Sequence, residues 1–166
     1  MSTIHKSIEI DRPVSQVYNQ WTQFEDFPAF MEGVEEVQQL ADDKLRWQTK
    51  IAGVERDFET EIIEQKPDQQ ISWRTEDGED HTGAVTFEDL GGAASRVSVV
   101  MSYRPENFVE KVGDAMNILD KRVEKDLERF KKLIEDEATA SGGWRGRISS
   151  RDVLAGDPNP EIPSTE

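Results

Sequence analysis

Apolar and polar residues alternate over 3–11, with Ile4, Lys6, Ile8 and Ile10 on one side and His5, Ser7 and Glu9 on the other, which predicts a strand. The period then changes. Asp11-Arg12-Pro13 starts a helix, with Asp11 as its cap and Pro13 in the first turn, where the missing N–H costs nothing. Val14, Val17, Tyr18 and Trp21 follow at helical spacing on one face. A second short helical piece over 24–31 is broken by Pro28 and ended by Gly33. From 34 to 105 strand-like runs alternate with turn signals. The runs cover 34–40, 44–51, 54–65, 70–75, 81–90 and 96–104, parted by Asp42-Asp43, Ala52-Gly53, Lys66-Pro67-Asp68, Asp77-Gly78 and Gly91-Gly92. Strands joined by turns this tight must be antiparallel.

The last pattern is one long helix over 107–138. Phe108, Val112, Ala115, Met116, Leu119, Val123, Leu127, Phe130 and Ile134 keep a three-to-four spacing, with Lys, Glu and Asp on the other faces. Residues 139–166 are rich in Gly, Ser and Pro, and a disordered polar tail is predicted there, leaving one domain over 1–138. Trp144, set between glycines and beside arginines, is read as a stray residue of that tail rather than a docking peptide.

Strand side chains alternate between faces, so parity assigns a dry face. It takes Leu45, Trp47 and Ile51 with Thr49; Val54, Phe58 and Ile62 with Arg56 and Thr60; and Ile71 and Trp73 with Thr75. It continues through Val85 and Phe87 with His81 and Gly83, and through Val97, Val99 and Met101 with Tyr103. The opposite face holds Arg46, Asp57, Glu59, Glu61, Arg74, Glu88 and Arg96 and meets water. A sheet with one dry side needs a cover, and the long helix has a matching stripe. One helix is about 10 Å wide, whereas seven strands spaced about 4.8 Å apart span roughly 30 Å. The sheet must therefore curl around the helix, and a curled sheet leaves a cleft beside it. The fold class is α+β: a curved seven-stranded antiparallel sheet around a long C-terminal helix, with two short helices after the first strand.

The cleft defines the candidate ligand-binding residues. Trp47, Phe58, Trp73, Val85, Phe87 and Met101 supply apolar surface, and Val112 and Met116 add to it from the helix. Thr49, Arg56, Thr60, Thr75, His81 and Tyr103 are the polar residues in phase, placed to orient an otherwise apolar ligand. Each also has a plainer reading: the apolar set as close-packed core, and Arg56, His81 and Tyr103 as strand-end residues whose polar atoms reach solvent.

Composition narrows the chemistry. The chain has 166 residues, no cysteine and a formal net charge of −15 from 35 acidic and 20 basic residues. Disulfides, thiolate zinc sites and thiol nucleophiles are excluded. A surface so negative repels phosphate backbones, so no nucleic-acid partner is expected. Met1-Ser2-Thr3-Ile4-His5-Lys6 leads straight into a strand, so no secretory signal is expected. No apolar run approaches the roughly 20 residues of a transmembrane helix, and a cytoplasmic location is predicted. His5 and His81 lack ligands at metal-binding spacing, the acidic turns depart from a calcium loop, and no Gly-x-Ser-x-Gly or phosphate loop occurs. No metal or cofactor is predicted.

Against this background two stretches stand out. Ile10-Asp11-Arg12-Pro13-Val14-Ser15-Gln16-Val17-Tyr18, followed by Trp21-Thr22-Gln23-Phe24-Glu25-Asp26-Phe27-Pro28-Ala29-Phe30-Met31, resembles the opening of the polyketide cyclase/dehydrase branch of the START-like superfamily. Trp73-Arg74, His81-Thr82-Gly83-Ala84-Val85-Thr86-Phe87 and Tyr103-Arg104-Pro105 extend the resemblance, which covers about residues 3 to 137. Gly143-Trp144-Arg145-Gly146 is similar to a tail in uncharacterised bacterial members. The resemblance implies a helix-grip fold with a lipophilic cavity, in a superfamily that includes aromatase/cyclases, coenzyme-Q-binding proteins, lipid carriers and hormone receptors. A small apolar ligand is the expected partner. A cofactor-independent cyclase, in which Arg56 and Tyr103 match known catalytic side chains in type only, and a stress-related protein-interaction module are the alternatives.

Overall fold

The structure is a computed structural model that describes residues 2–51, 53–75, 81–103, 115–136 and 139–149. The alternating runs form β1 (Ser2–Ile10), β2 (Val34–Ala41), β3 (Lys44–Ile51), β4 (Val54–Lys66), β5 (Gln70–Thr75), β6 (His81–Gly91) and β7 (Ala94–Tyr103). Helix α1 (Val14–Trp21) and a 3₁₀ helix over Phe24–Ala29 lie between β1 and β2, and α2 (Ala115–Asp136) follows β7. Every neighbouring pair is antiparallel, in the order β1-β7-β6-β5-β4-β3-β2.

The sheet curls as its arithmetic requires. Ile4 of β1 and Ile51 of β3 share an apolar cluster with Leu119 of α2, although four strands separate β1 from β3 in the sheet. A flat sheet would hold them roughly 24 Å apart at about 4.8 Å per strand. Farther along α2, Leu127, Phe130 and Ile134 are buried among Ile10, Val17, Tyr18 and Trp21. The helix is also tied to β1 by polar contacts: Lys6 Nζ lies 3.0 Å from Asp120, and Lys131 Nζ donates to the Glu9 carbonyl at 2.9 Å.

Two local expectations change. Asp11 does not cap α1. Pro13 occupies the cap position with an extended backbone (φ −61, ψ 147), and its carbonyl accepts from Gln16 and Val17. The Asp11 N–H instead donates to Glu135 of α2. The β4–β5 pairing carries a register shift between Ile62 and Glu64, and the extra residue reverses the facing of the rest of β4. Gln65 is therefore fully buried, where unbroken alternation from Ile62 would have turned it out.

The largest correction concerns the tail. Residues 139–149, predicted to be disordered, run back over the outer side of α1 and reach β4. The Ser141 N–H donates to Gln20 Oε1 at 2.9 Å, and the Trp144 N–H donates to Thr22 Oγ1 at 3.0 Å. Ile148 forms a two-bond antiparallel bridge with Gln65. Arg145 pairs with Asp68 at 2.7 Å and lies over the Tyr18 ring. The glycines taken as a mark of disorder mark close approach instead: a Cβ at Gly143 would come within 2.8 Å of the Asn19 side chain. The remainder of the predicted tail, 150–166, lies outside the described residues.

Candidate functional site

Between the concave face of the sheet, α2 and the α1–3₁₀ unit lies a cavity of about 180 Å³. Alternation delivers its sheet wall: Leu45, Trp47 and Thr49 from β3, Phe58, Thr60 and Ile62 from β4, then Ile71, Trp73, His81, Val99 and Met101 from the strands beyond. The rings hold one another in place. Trp47 and Phe58, partners across β3 and β4, stack at 6.0 Å and 8°. The His81 imidazole meets the edge of Phe58 at 5.4 Å. Trp47 Nε1 donates to Thr60 Oγ1 at 2.9 Å, so the indole nitrogen is satisfied within the wall.

The second wall is aromatic and was not foreseen. Trp21, Phe24, Phe27 and Phe30 line the cavity, recurring every third residue across the end of α1 and the 3₁₀ helix. A 3₁₀ helix has about three residues per turn, so this spacing puts successive rings on one side. That period, next to Pro28, was the available signal. Phe27 also reaches Trp47 at 5.7 Å and so joins the two walls.

Helix α2 supplies the third wall through Leu119, Val123 and Leu127, with Arg122 and Asp126 among them. Both charged residues escaped the sequence reading because they flank the apolar stripe rather than interrupt it. Burial pushes the Asp126 carboxyl up to about 6, against the opposing pull of the Glu32 backbone N–H and of the Arg129 and Arg122 charges.

Of the residues predicted from sequence, Trp47, Thr49, Phe58, Thr60, Trp73, His81 and Met101 come together on the cavity wall. His81 is only 5% exposed, which removes its solvent-reaching reading. Four others are not on the wall. Val85 and Phe87 belong to the packed core, where Phe87 meets Tyr18 at 5.1 Å and Trp21 at 6.2 Å. Both pack in the same core cluster as Val17, Tyr18 and Trp21 of α1. Thr75 is buried at the end of β5, its hydroxyl accepting from the His81 N–H at 3.5 Å. Arg56, opposite Thr49 near the start of β4, donates to the Glu55 carbonyl. Val112 lies outside the described residues, and so do the side chains of Tyr103 and Met116, whose backbones belong to β7 and α2.

Gly83 has a definite task. It pairs with Trp73 across β5 and β6, and a Cβ there would come within 2.4 Å of the indole. Gly83→Ala should therefore displace the Trp73 ring, at a cost of about 1–3 kcal/mol in a urea melt, with a shifted tryptophan emission. Unchanged emission with unchanged stability would show that the indole is not packed on the glycine.

No group of three or more His, Asp or Glu among the described residues is placed to hold a metal ion. No described helix is long and apolar enough to cross a membrane.

Comparison with known proteins fits this geometry. Residues 10–132 match the family described as polyketide cyclase/dehydrase and lipid transport. The chain is 44% identical over 149 residues, 89% of its length and 99% of the relative's, to an uncharacterized 17.2 kDa protein from the melC2-rnhH intergenic region of Streptomyces lincolnensis. The fold superposes with a TM-score of 0.63 on the Zhui aromatase/cyclase of Streptomyces sp. R1128, at 14% identity, covering 86% of this chain and 99% of that one. A START superfamily protein of Mycobacterium smegmatis gives a TM-score of 0.62 at 18% identity, covering 81% of this chain and 94% of that one. Identities this low carry the fold alone, and that fold is the helix grip expected from the sequence.

Proposed function

The chain belongs to the polyketide cyclase/dehydrase and lipid transport family, and from that premise we propose that it holds a small lipophilic molecule in its cavity, as carrier, sensor or chaperone. The observation that carries this reading is the cavity itself. Its walls are almost entirely aliphatic and aromatic, yet they do not close. An unfilled space of this size costs on the order of several kcal/mol, at about 24 cal/mol per Å³. An apolar guest recovers that cost by burying its own surface at about 25 cal/mol per Å². An interaction module without a ligand has no use for such a space. The absence of cysteine and the charge of −15 favour a cytoplasmic protein that avoids nucleic acid.

A cyclase is the second reading. It is favoured by the presence of His81 on the sheet wall and Asp126 on the helix wall, two titratable groups facing the same apolar space. Such an enzyme would need no cofactor, since positioning and one proton relay are enough for aldol chemistry on a reactive poly-carbonyl chain.

The neutral fluorophore N-phenyl-1-naphthylamine tests the binding reading. Trp21, Trp47 and Trp73 line the cavity, so bound probe should accept their excitation energy. Val123→Phe fills the space from α2 without removing a hydrogen bond. It should weaken binding about tenfold or more while costing under about 1.5 kcal/mol in stability. Probe that transfers no energy, or that binds the variant as it binds wild type, removes the cavity as the functional site.

A further inference from the structure

Besides Thr49, Thr60 and His81 on the sheet side, the mostly apolar cavity wall carries Arg122 and Asp126, which α2 places one turn apart. Glu32, in the link before β2, joins them in a chain of charges. One Glu32 carboxylate oxygen lies 3.4 Å from Arg122 Nη1 and 3.1 Å from Arg129 Nη2. Arg129 Nη1 reaches Asp126 Oδ1 at 3.0 Å, and the Glu32 N–H donates to the same oxygen at 3.3 Å. The absent Cβ of Gly33 leaves room for the Arg122 stem, since a Cβ there would stand 3.2 Å from Arg122 Cδ.

The four charges do not cancel evenly. Both guanidiniums stay charged at any working pH. The Glu32 side chain is 64% exposed, so water screens it. Asp126, with its carboxyl raised to about 6, gives up its charge just below neutrality. Arg122 is thus the guanidinium on the cavity wall of a chain whose net charge is −15, and below about pH 6 Asp126 no longer offsets it. Glu32 also shows what Arg122 accepts: a carboxylate, held at the longer of two contacts and able to rest on Arg129 alone.

We propose that the ligand of this cavity is an apolar molecule bearing a carboxylate, and that Arg122 is the counter-ion of that carboxylate. The proposal rests on the lipophilic-ligand reading above and names its ligand class. On binding, the incoming acid replaces Glu32 at Arg122, and Glu32 keeps Arg129. The new anion stands beside Asp126 and favours its protonated form, so a proton is taken up with the ligand. Binding is then tightest where Asp126 is protonated and the ligand ionised, near pH 5 to 6, and weakens by up to about tenfold per unit above that. The charged groups facing Asp126 are Arg122 and Arg129 from its own helix and Glu32 from the link. His81 is the other titratable residue on the described cavity wall.

Calorimetric titration with 2-naphthoate and 2-naphthylmethanol, which share a ring system and differ in charge, tests this. At pH 6 the wild type should prefer the acid by about ten- to a hundredfold, the range of a charge-assisted hydrogen bond. Arg122→Gln should bind the two alike while keeping its grip on the alcohol. Arg122→Lys, which keeps the charge, should keep part of the preference, separating loss of the counter-ion from loss of the fold. Asp126→Asn should hold the preference but lose its dependence on pH between 6 and 8. A wild type that binds the alcohol as tightly as the acid, or a preference that survives Arg122→Gln, overturns the proposal and leaves the cavity standing. Binding of neither compound overturns the lipophilic-ligand reading as well. A pH dependence unchanged in Asp126→Asn overturns the coupled proton at Asp126.

Discussion

Replacing Phe130 with alanine is expected to cost about 3–5 kcal/mol in a urea melt, the upper range for truncating a buried aromatic side chain. Phe130 is fully buried. Its ring meets the edge of Trp21 at 4.9 Å and the tilted face of Phe30 at 5.0 Å. It is thus the point where α2 locks onto the aromatic wall of the cavity, and removing it takes a partner from both rings. Neighbours tied to two different elements cannot collapse into the hole without moving one of them, which keeps the cost high. Leu133→Ala on the half-buried flank of α2 is the comparison and should cost less. A loss below about 1 kcal/mol for Phe130→Ala would mean that α2 does not carry the fold. The variant should also bind N-phenyl-1-naphthylamine more weakly, because Trp21 and Phe30 line the cavity that receives it.

The large features of the molecule were legible because they derive from two periods. Alternation in β3 placed Leu45, Trp47, Thr49 and Ile51 on one face, and all four line the cavity. The three-to-four stripe of α2 placed Leu119 and Leu127 against the sheet, where both are buried. Parity, however, says which face a residue takes and not how far along the strand the space opens. Val85 and Phe87 share a face with His81, yet the first two pack into the core and only the third reaches the cavity wall. Parity also assumes an unbroken register, and the shift after Ile62 turned Gln65 inward with no mark in its neighbours' hydropathy. Arg122 and Asp126 were hidden for a different reason. A helix face is a graded boundary, and whether a charge at its margin meets water or a cavity depends on Glu32 and Gly33, ninety residues or so away in the chain. The tail failed on chemistry. Glycine and serine were taken as a chain too polar to fold, when here they let a backbone lie close against α1 and hydrogen-bond to its side chains.

Truncation after Thr139 measures how much that strap contributes, and it should lower stability by about 1–3 kcal/mol. In a chain of this size that is a fall of roughly 3–10 °C in melting temperature. The strap covers polar groups that have few other partners. Gln65 and Tyr18 are fully buried beneath it, with Gln65 Nε2 donating to the Tyr18 hydroxyl at 3.0 Å. The backbone N–H and C=O of Gln65 are both engaged by Ile148. Gln20 and Thr22, 4% and 3% exposed, accept the strap's own N–H groups through their side chains. Removing the strap returns all of these to water and unties α1 from the end of β4. The net effect stays modest because the shortened chain no longer has to order those residues. Arg145→Ala alone should do much less, since its pairing with Asp68 is partly exposed. The opposite side of α1 carries Trp21 into the cavity, so the truncated protein should also bind the neutral probe more weakly. A melting temperature within about 1 °C of wild type, together with unchanged probe affinity, would show that the strap rests on the domain without supporting it.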